Sequence, residues 1–344
     1  MSCSVYFVST LLHLFTATAI AGERSDEKAV LVFIDQPEGA TPQIVELVQQ
    51  WALSPFAEQH LFFGRLKGGL SKLKKRRRLF SDLKDLIERL SPGHLFVGND
   101  RRIEFQYAMH IASSQAQTVT GHYMDEGTFT YVGREASSGL GDVVVDNLLK
   151  KLFYGFWWKN PVTVGASAWI KEIHVAFPEL IDSRLHGKVK HCLSADSFQS
   201  DALQQLSQMM LQVNGVTKEQ IHGLDVLITL PHESLFEKNT GYRDKVLTLI
   251  NGLEGSIAVK YHPRNSGEDA LNLQPLGIQL LPSSISYEAI LPLLNSDVTV
   301  IGDVSSTLLL TRWLRPEIKT VSYRNGTENK KFEQLFHDLG VELL

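Results

Sequence analysis

Short apolar runs recur along this chain with helical stretches between them, and the pattern occurs twice. In the first half, Ser4–Val8 (SVYFV), Ala29–Ile34 (AVLVFI), His60–Phe63, His94–Val97 and Thr118–Tyr123 read as strands. Leu11–Ala21, Gln43–Ala52, Leu70–Leu90 and Arg102–Ser113 read as helices. A strand that is apolar without alternation is buried on both faces. Such strands form parallel sheets covered by helices on both sides. The rhythm breaks between about Arg134 and Leu193, a stretch holding Leu148–Trp158 and several Gly and Pro residues. It resumes with strands at Asp225–Leu230, Ser256–Tyr261, Gly277–Leu281, Asp297–Ile301 and Thr320–Tyr323. Helices are expected at Tyr242–Gly252, Tyr287–Leu294 and Ser306–Leu314. A chain of 344 residues is long for one core. Two Rossmann-like α/β domains with parallel sheets are therefore expected, over residues 1–160 and 161–344, with the last helix crossing back to the first domain. In open α/β sheets ligands bind beyond the carboxyl ends of the strands, so polar residues there are the candidates for function.

Several classes are set aside by composition. Met1–Ala21 is apolar and ends in Ala-Ile-Ala, like a secretory leader. Its start has no Lys or Arg, and His13 interrupts the apolar run, so strand plus helix is the expectation. No other run approaches the ~20 apolar residues of a spanning helix. A net charge of −4 argues against nucleic acid as a bulk partner. Cys3 and Cys192 are the two cysteines, which suggests neither a zinc cluster nor a disulfide framework and fits a cytoplasmic location. Lys72–Arg78 (KLKKRRR) could dock an anionic acceptor or a peripheral, anionic membrane surface; a solvated helix face explains it as well. Lys150–Lys159 (KKLFYGFWWK) suits a membrane interface, an acceptor subsite or core packing. Gly139-Leu140-Gly141-Asp142 lacks the third glycine of a dinucleotide fingerprint, and Asn325-Gly326-Thr327 is a formal glycosylation sequon without meaning in the cytoplasm.

Four clusters carry chemistry. Asp125-Glu126-Gly127 ends a strand, and neighbours on a strand point opposite ways, so one of the two acids faces the ligand side. A carboxylate there can take a proton from a hydroxyl nucleophile, and a solvated acidic turn is the plainer alternative. Lys260-Tyr261-His262-Pro263 ends another strand; such a His can meet negative charge on a leaving phosphate, or simply cap a loop. Ser305-Ser306-Thr307 opens a helix, where hydroxyls and free N–H groups make an anion site or an ordinary cap. Glu288, in Ser-Ile-Ser-Tyr-Glu, could accept hydrogen bonds from a ribose or favour the helix N-terminus by charge. Asn99 ends a first-half strand without an assignable role.

The order acid-acid-Gly, His-Pro, Ser-x-Ser-Tyr-Glu, Ser-Ser-Thr resembles the bacterial sialyltransferases, nearest the lipooligosaccharide sialyltransferases and capsule polysialyltransferases. The resemblance is best from about Asp225 to Tyr323. It implies a GT-B fold, with an acceptor-side domain over 1–160 and a nucleotide-sugar domain over 161–344. It implies inverting, metal-independent transfer from CMP-sialic acid to a glycan or glycolipid, with no cofactor. Asp125 matches the general base; Glu126, Gly127 and Asn99, near it in the first half, are candidate acceptor-side residues without a family match. His262 matches the residue that assists departure of CMP. Lys260, Pro263, Glu288, Ser305, Ser306 and Thr307 match donor contacts. The sequence agrees in having no Asp-x-Asp motif. Another CMP-sugar such as CMP-Kdo, or a noncatalytic nucleotide-sugar-binding role, is the alternative.

Overall fold

The structure is a computed structural model. It describes residues 2–66, 68–115, 118–134, 157–234, 236, 241–265, 267–303, 305–323 and 330–344. Gly139–Asp142, Asn325–Thr327 and most of both Leu148–Trp158 and Lys150–Lys159 lie outside these residues. The chain divides into two compact units, Met1–Leu193 and Ser194–Leu344.

The first unit is built on β1 (Cys3–Val8), β2 (Lys28–Phe33), β3 (Glu58–Leu61), β4 (His94–Val97), β5 (Thr120–Met124), β6 (Ile170–Val175) and β7 (Val189–Cys192). Their order is β3-β2-β1-β4-β5-β6-β7, and every pairing is parallel. The chain reverses its direction of travel across the sheet between β1 and β4, the switch point of a doubly wound fold. All six residues of β1 are buried. The helix Leu11–Glu23 has ten consecutive buried residues, Leu12 to Ala21. Burial all round explains its leader-like sequence, since a helix enclosed on every side needs no polar face. The Thr10 side chain caps it by accepting the His13 N–H at 3.2 Å.

The helix Gly69–Leu90 buries Leu79, Leu83, Leu86 and Ile87 on one stripe, at the i, i+4, i+7, i+8 spacing of a surface helix. Most of the basic run is solvated, but Arg76 turns inward. It pairs with the buried Glu104 at 2.8 Å and donates to the Gly64 carbonyl at 3.0 Å. Removing it would leave a buried carboxylate unpaired, a loss of about 3–5 kcal/mol.

The first unit runs past residue 160 to Leu193, the far edge of the stretch where the sequence rhythm breaks, because β6 and β7 join the first sheet. Both are hard to see in sequence: β6 (IKEIHV) is interrupted by Lys171 and Glu172, and β7 (VKHC) is exposed along its length. The second sheet holds β8 (Val226–Thr229), β9 (Ile257–Lys260), β10 (Gln279–Leu281), β11 (Thr299–Gly302), β12 (Lys319–Ser322) and β13 (Glu342–Leu343). Its order is β10-β9-β8-β11-β12-β13, again all parallel, with the switch point between β8 and β11. Its core on one face gathers Ile228, Tyr242, Val246, Val259, Tyr261 and Ile301. The sequence suggests a last helix that crosses back to the first domain; the last described helix, Lys330–Asp338, belongs to the second unit, where it leads into β13, which pairs with β12. Among the described residues no helix is long and apolar enough to cross a membrane.

Candidate active site

A cavity of about 280 Å³ opens at the carboxyl ends of β8, β9 and β11. It is lined by Lys260, His262, Pro263, Glu288, Ser305, Ser306 and Thr307, together with Thr229, Pro231 and Tyr287. The seven sequence-predicted residues of the second half therefore meet in one place.

Local packing explains how. Gly302 ends β11 beside Thr229 of β8. A Cβ there would lie 2.8 Å from Thr229 Oγ1 and 3.0 Å from Leu308 Cδ2, so glycine lets the following helix sit close over β8. That helix, Ser306–Leu314, is capped by Ser305, whose Oγ accepts the Thr307 N–H at 3.3 Å. Thr307 Oγ1 lies 2.5 Å from Ser305 Oγ and 2.9 Å from Thr229 Oγ1. Hydroxyls and the positive end of a helix thus line one wall, an arrangement suited to a phosphate.

Lys260 is 4% exposed, and its Nζ donates to the carbonyls of Tyr261 at 3.2 Å and Ser283 at 3.4 Å. Burial lowers its pKa to about 8, against the attraction of Glu288. His262 accepts the Arg264 N–H on Nδ1 at 3.1 Å, so the neutral ring carries its proton on Nε2. Burial lowers its pKa, helped by the charges of His232, Arg264 and Lys260. The His232 ring packs edge-on against it, with centroids 5.3 Å apart. Glu288 accepts a hydrogen bond from Ser286 Oγ.

The adjacent acids of the first unit have opposite surroundings. Asp125 is fully buried. Its Oδ1 accepts from Gly127 N and Thr130 Oγ1, both at 2.8 Å. Its Oδ2 accepts from Ala176 N at 3.0 Å and from the Tyr131 hydroxyl. Burial raises its pKa while these four donors oppose the rise. It ties the end of β5 to the loop after β6. Glu126 is partly exposed, and its Oε1 accepts from Asn99 Nδ2 at 3.1 Å, while Oε2 is itself buried and has no hydrogen-bond partner among the described residues. Burial raises its pKa to about 7, against the Asn99 hydrogen bond and the Arg102 charge. Gly127, at φ +93°, takes a backbone conformation that L side chains rarely adopt and lets the chain turn away. With four donors and no exposure, Asp125 offers no free lone pair to a substrate proton in this arrangement. Beside Asn99, Asp100 is structural: its oxygens accept from Gly165 N at 2.9 Å and Ser167 N at 2.8 Å.

Sequence reading missed Thr229 and His232. Both lie at or just past the end of β8, beside the switch point, and that position was the available signal.

Two all-parallel units of Rossmann order, one with a cavity of hydroxyls, lysine and histidine beyond its strand ends, make the two-domain α/β fold of the GT-B type. The structure is similar to an alpha/beta-galactoside alpha-2,3-sialyltransferase from the luminous marine bacterium Photobacterium phosphoreum. The TM-score is 0.58 at 16% identity, covering 99% of this chain and 98% of that one. It is also similar to Arabidopsis thaliana UGT89C1 complexed with UDP-L-rhamnose, with TM-score 0.53, 8% identity, and 99% and 84% of the two chains covered. A UDP-glucosyltransferase from Polygonum tinctorium gives TM-score 0.52 at 12% identity, covering 97% and 82%. No curated protein sequence matches. The profile of the alpha-2,8-polysialyltransferase family (POLYST) matches residues 4–324. The chain belongs to that family and is a glycosyltransferase of the sialyltransferase type.

Proposed function

We propose that this enzyme transfers sialic acid from CMP-sialic acid to a hydroxyl of a glycan or glycolipid, with inversion and with no metal taking part in the chemistry. The observation that carries the reading is the cavity of the second unit, where Lys260, His262 and the Ser305–Thr307 helix start surround one space. A nucleoside monophosphate fits it: phosphate at the helix start and His262, ribose at Glu288.

The acceptor O–H oxygen bonds to the anomeric carbon as the bond from that carbon to the phosphate oxygen breaks. The electron pair of the breaking bond stays on CMP. His262 Nε2–H and the helix start meet the charge that grows there, at the point where it grows. The proton goes to a carboxylate of the first unit. Glu126 is the better base: a pKa of about 7 matches a base working near neutral pH, and its Oε2, covered in this arrangement, has no hydrogen-bond partner among the described residues to give up. Asp125 holds the turn that presents it. Asn99 and Gly127 fix Glu126 on the acceptor side.

Thermal unfolding with CMP, UMP, UDP and GDP tests the donor assignment. CMP is expected to raise the Tm most; equal or greater stabilisation by a uridine or guanosine nucleotide would overturn it. Peripheral membrane contact through the solvated face of the Gly69–Leu90 helix belongs to the same proposal. Vesicles with anionic lipid should then retain the protein at low salt and release it at high salt.

A further inference from the structure

The first sheet carries a row of imidazoles across four neighbouring strands: His94 on β4, His122 on β5, His174 on β6 and His191 on β7. The register sets His122 opposite Glu172 and His174 opposite His191. His94 Nδ1 lies 2.9 Å from His122 Nε2, and His122 Nδ1 lies 3.2 Å from His174 Nε2. Glu172 Oε2 lies 3.7 Å from His122 Nδ1 and 2.7 Å from His191 Nε2. None of these groups takes part in the transfer chemistry above.

We propose that His122, His174 and Glu172 form a binding site for a first-row transition cation of the Zn²⁺ type. One ligand atom from each lies within 4.8 Å of the others. Ligands about 2.0–2.1 Å from a tetrahedral ion stand about 3.3 Å from one another. The 3.2 and 3.7 Å separations from His122 bracket that value, and Glu172 and His174 lie within 4.8 Å of each other, so side-chain rotation can bring the three atoms around one cation. Two imidazole nitrogens and one carboxylate favour Zn²⁺ and its neighbours over Mg²⁺ or Ca²⁺.

Outer partners of the right kind are in place. A ligating imidazole ordinarily donates its other N–H to an acceptor that fixes its tautomer. His94 Nδ1, 2.9 Å from His122 Nε2, can be that acceptor once His122 Nδ1 binds the ion. His191 stands beside Glu172 and stacks on His174 at 4.6 Å, where it can orient the carboxylate or supply a fourth ligand. Its side chain is 43% exposed and that of Glu172 29%, which gives the ion an entry. Burial keeps His122 and His174 neutral, with pKa values lowered to about 2 and about 3, so neither imidazole repels a cation by its own charge. A cation held there would fasten β5 to β6, three residues before Asp125 and four before Glu126.

The test uses the full chain after chelator treatment, titrated with Co²⁺ and then Zn²⁺. The expected result is one equivalent of Co²⁺ with the intense visible absorption of a tetrahedral site, displaced by Zn²⁺. Zn²⁺ at 100 times its Kd should raise the Tm by about 5–11 °C. His174→Gln and Glu172→Gln should each weaken binding at least about tenfold, while His232→Ala, which breaks the other close histidine pair, should leave it unchanged. His174 is buried and its variant can fail to fold; Glu172 is partly exposed, and its variant decides the matter alone. Absence of the tetrahedral band, or equal affinity in Glu172→Gln and the parent, would overturn the proposal and leave a hydrogen-bonded row of neutral imidazoles.

Discussion

Exchanging the adjacent acids for their amides should give opposite results for stability and rate. Asp125 receives four hydrogen bonds, two on each oxygen. In Asp125→Asn the amide NH₂ faces two donors in place of accepting from them. At about 1.5–3 kcal/mol for each hydrogen bond to a charged group, losing two lowers stability by about 3 kcal/mol or more, a Tm drop of at least about 6–12 °C. Glu126 behaves in the reverse way. Its folded pKa of about 7 lies above the ordinary value of 4.5, so the fold favours the protonated form. Stability is therefore lost as pH rises from about 4.5 through 7. At pH 8 the ionised carboxyl costs about 2 kcal/mol, allowing for the water that reaches it. Glu126→Gln removes that charge, so the Tm at pH 8 should rise by about 4–8 °C. Its transfer rate should fall about 10²–10⁴-fold, the loss expected for a general base. Asp125→Asn, assayed well below its Tm, should lose less than about tenfold. Differential scanning fluorimetry at pH 5 and pH 8, with initial rates of CMP release, gives both readouts. A folded Asp125→Asn that is inactive beside an active Glu126→Gln would refute the assignment and restore Asp125 as the base.

Three further outcomes follow from the same geometry. The rate of the parent enzyme should fall about tenfold per pH unit below about 7, and Glu126→Gln should abolish that limb of the pH–rate profile. Ser305→Ala combined with Ser306→Ala should weaken CMP binding by about 1.5–3 kcal/mol in a calorimetric titration; unchanged affinity would remove the helix start from the phosphate site. His262→Ala should slow transfer about 10²–10³-fold with every acceptor, because its contact is with the leaving group; a defect confined to one acceptor would contradict this role.

The sequence was most legible where strands were continuously apolar and helices had a clear cap. AVLVFI and DVTVI mark buried parallel strands without ambiguity, and Ser306–Leu314 follows from its Ser-Ser-Thr start. It was least legible at the edge of the first sheet, where β7 (VKHC) buries little and so carries no apolar pattern. The choice between Asp125 and Glu126 lay beyond pattern because it depends on contacts distant in sequence. Ala176 and Tyr131 hold one acid in the core, and Asn99 steadies the other. The alternation rule correctly required the two acids to diverge, but it did not say which of them faces inward. The histidine row had no local motif at all, since its members stand on four strands and only the register brings them together.

Incubation of the purified enzyme with a panel of CMP-, UDP- and GDP-sugars and a glycan acceptor, with the products read by mass spectrometry and NMR, identifies the transferred group and its carrier. CMP-sialic acid should be consumed, CMP released, and the acceptor extended by sialic acid with the anomeric configuration opposite to that of the donor. Transfer from a UDP- or GDP-sugar with CMP-sialic acid left intact, or a product that keeps the donor's configuration, would contradict it.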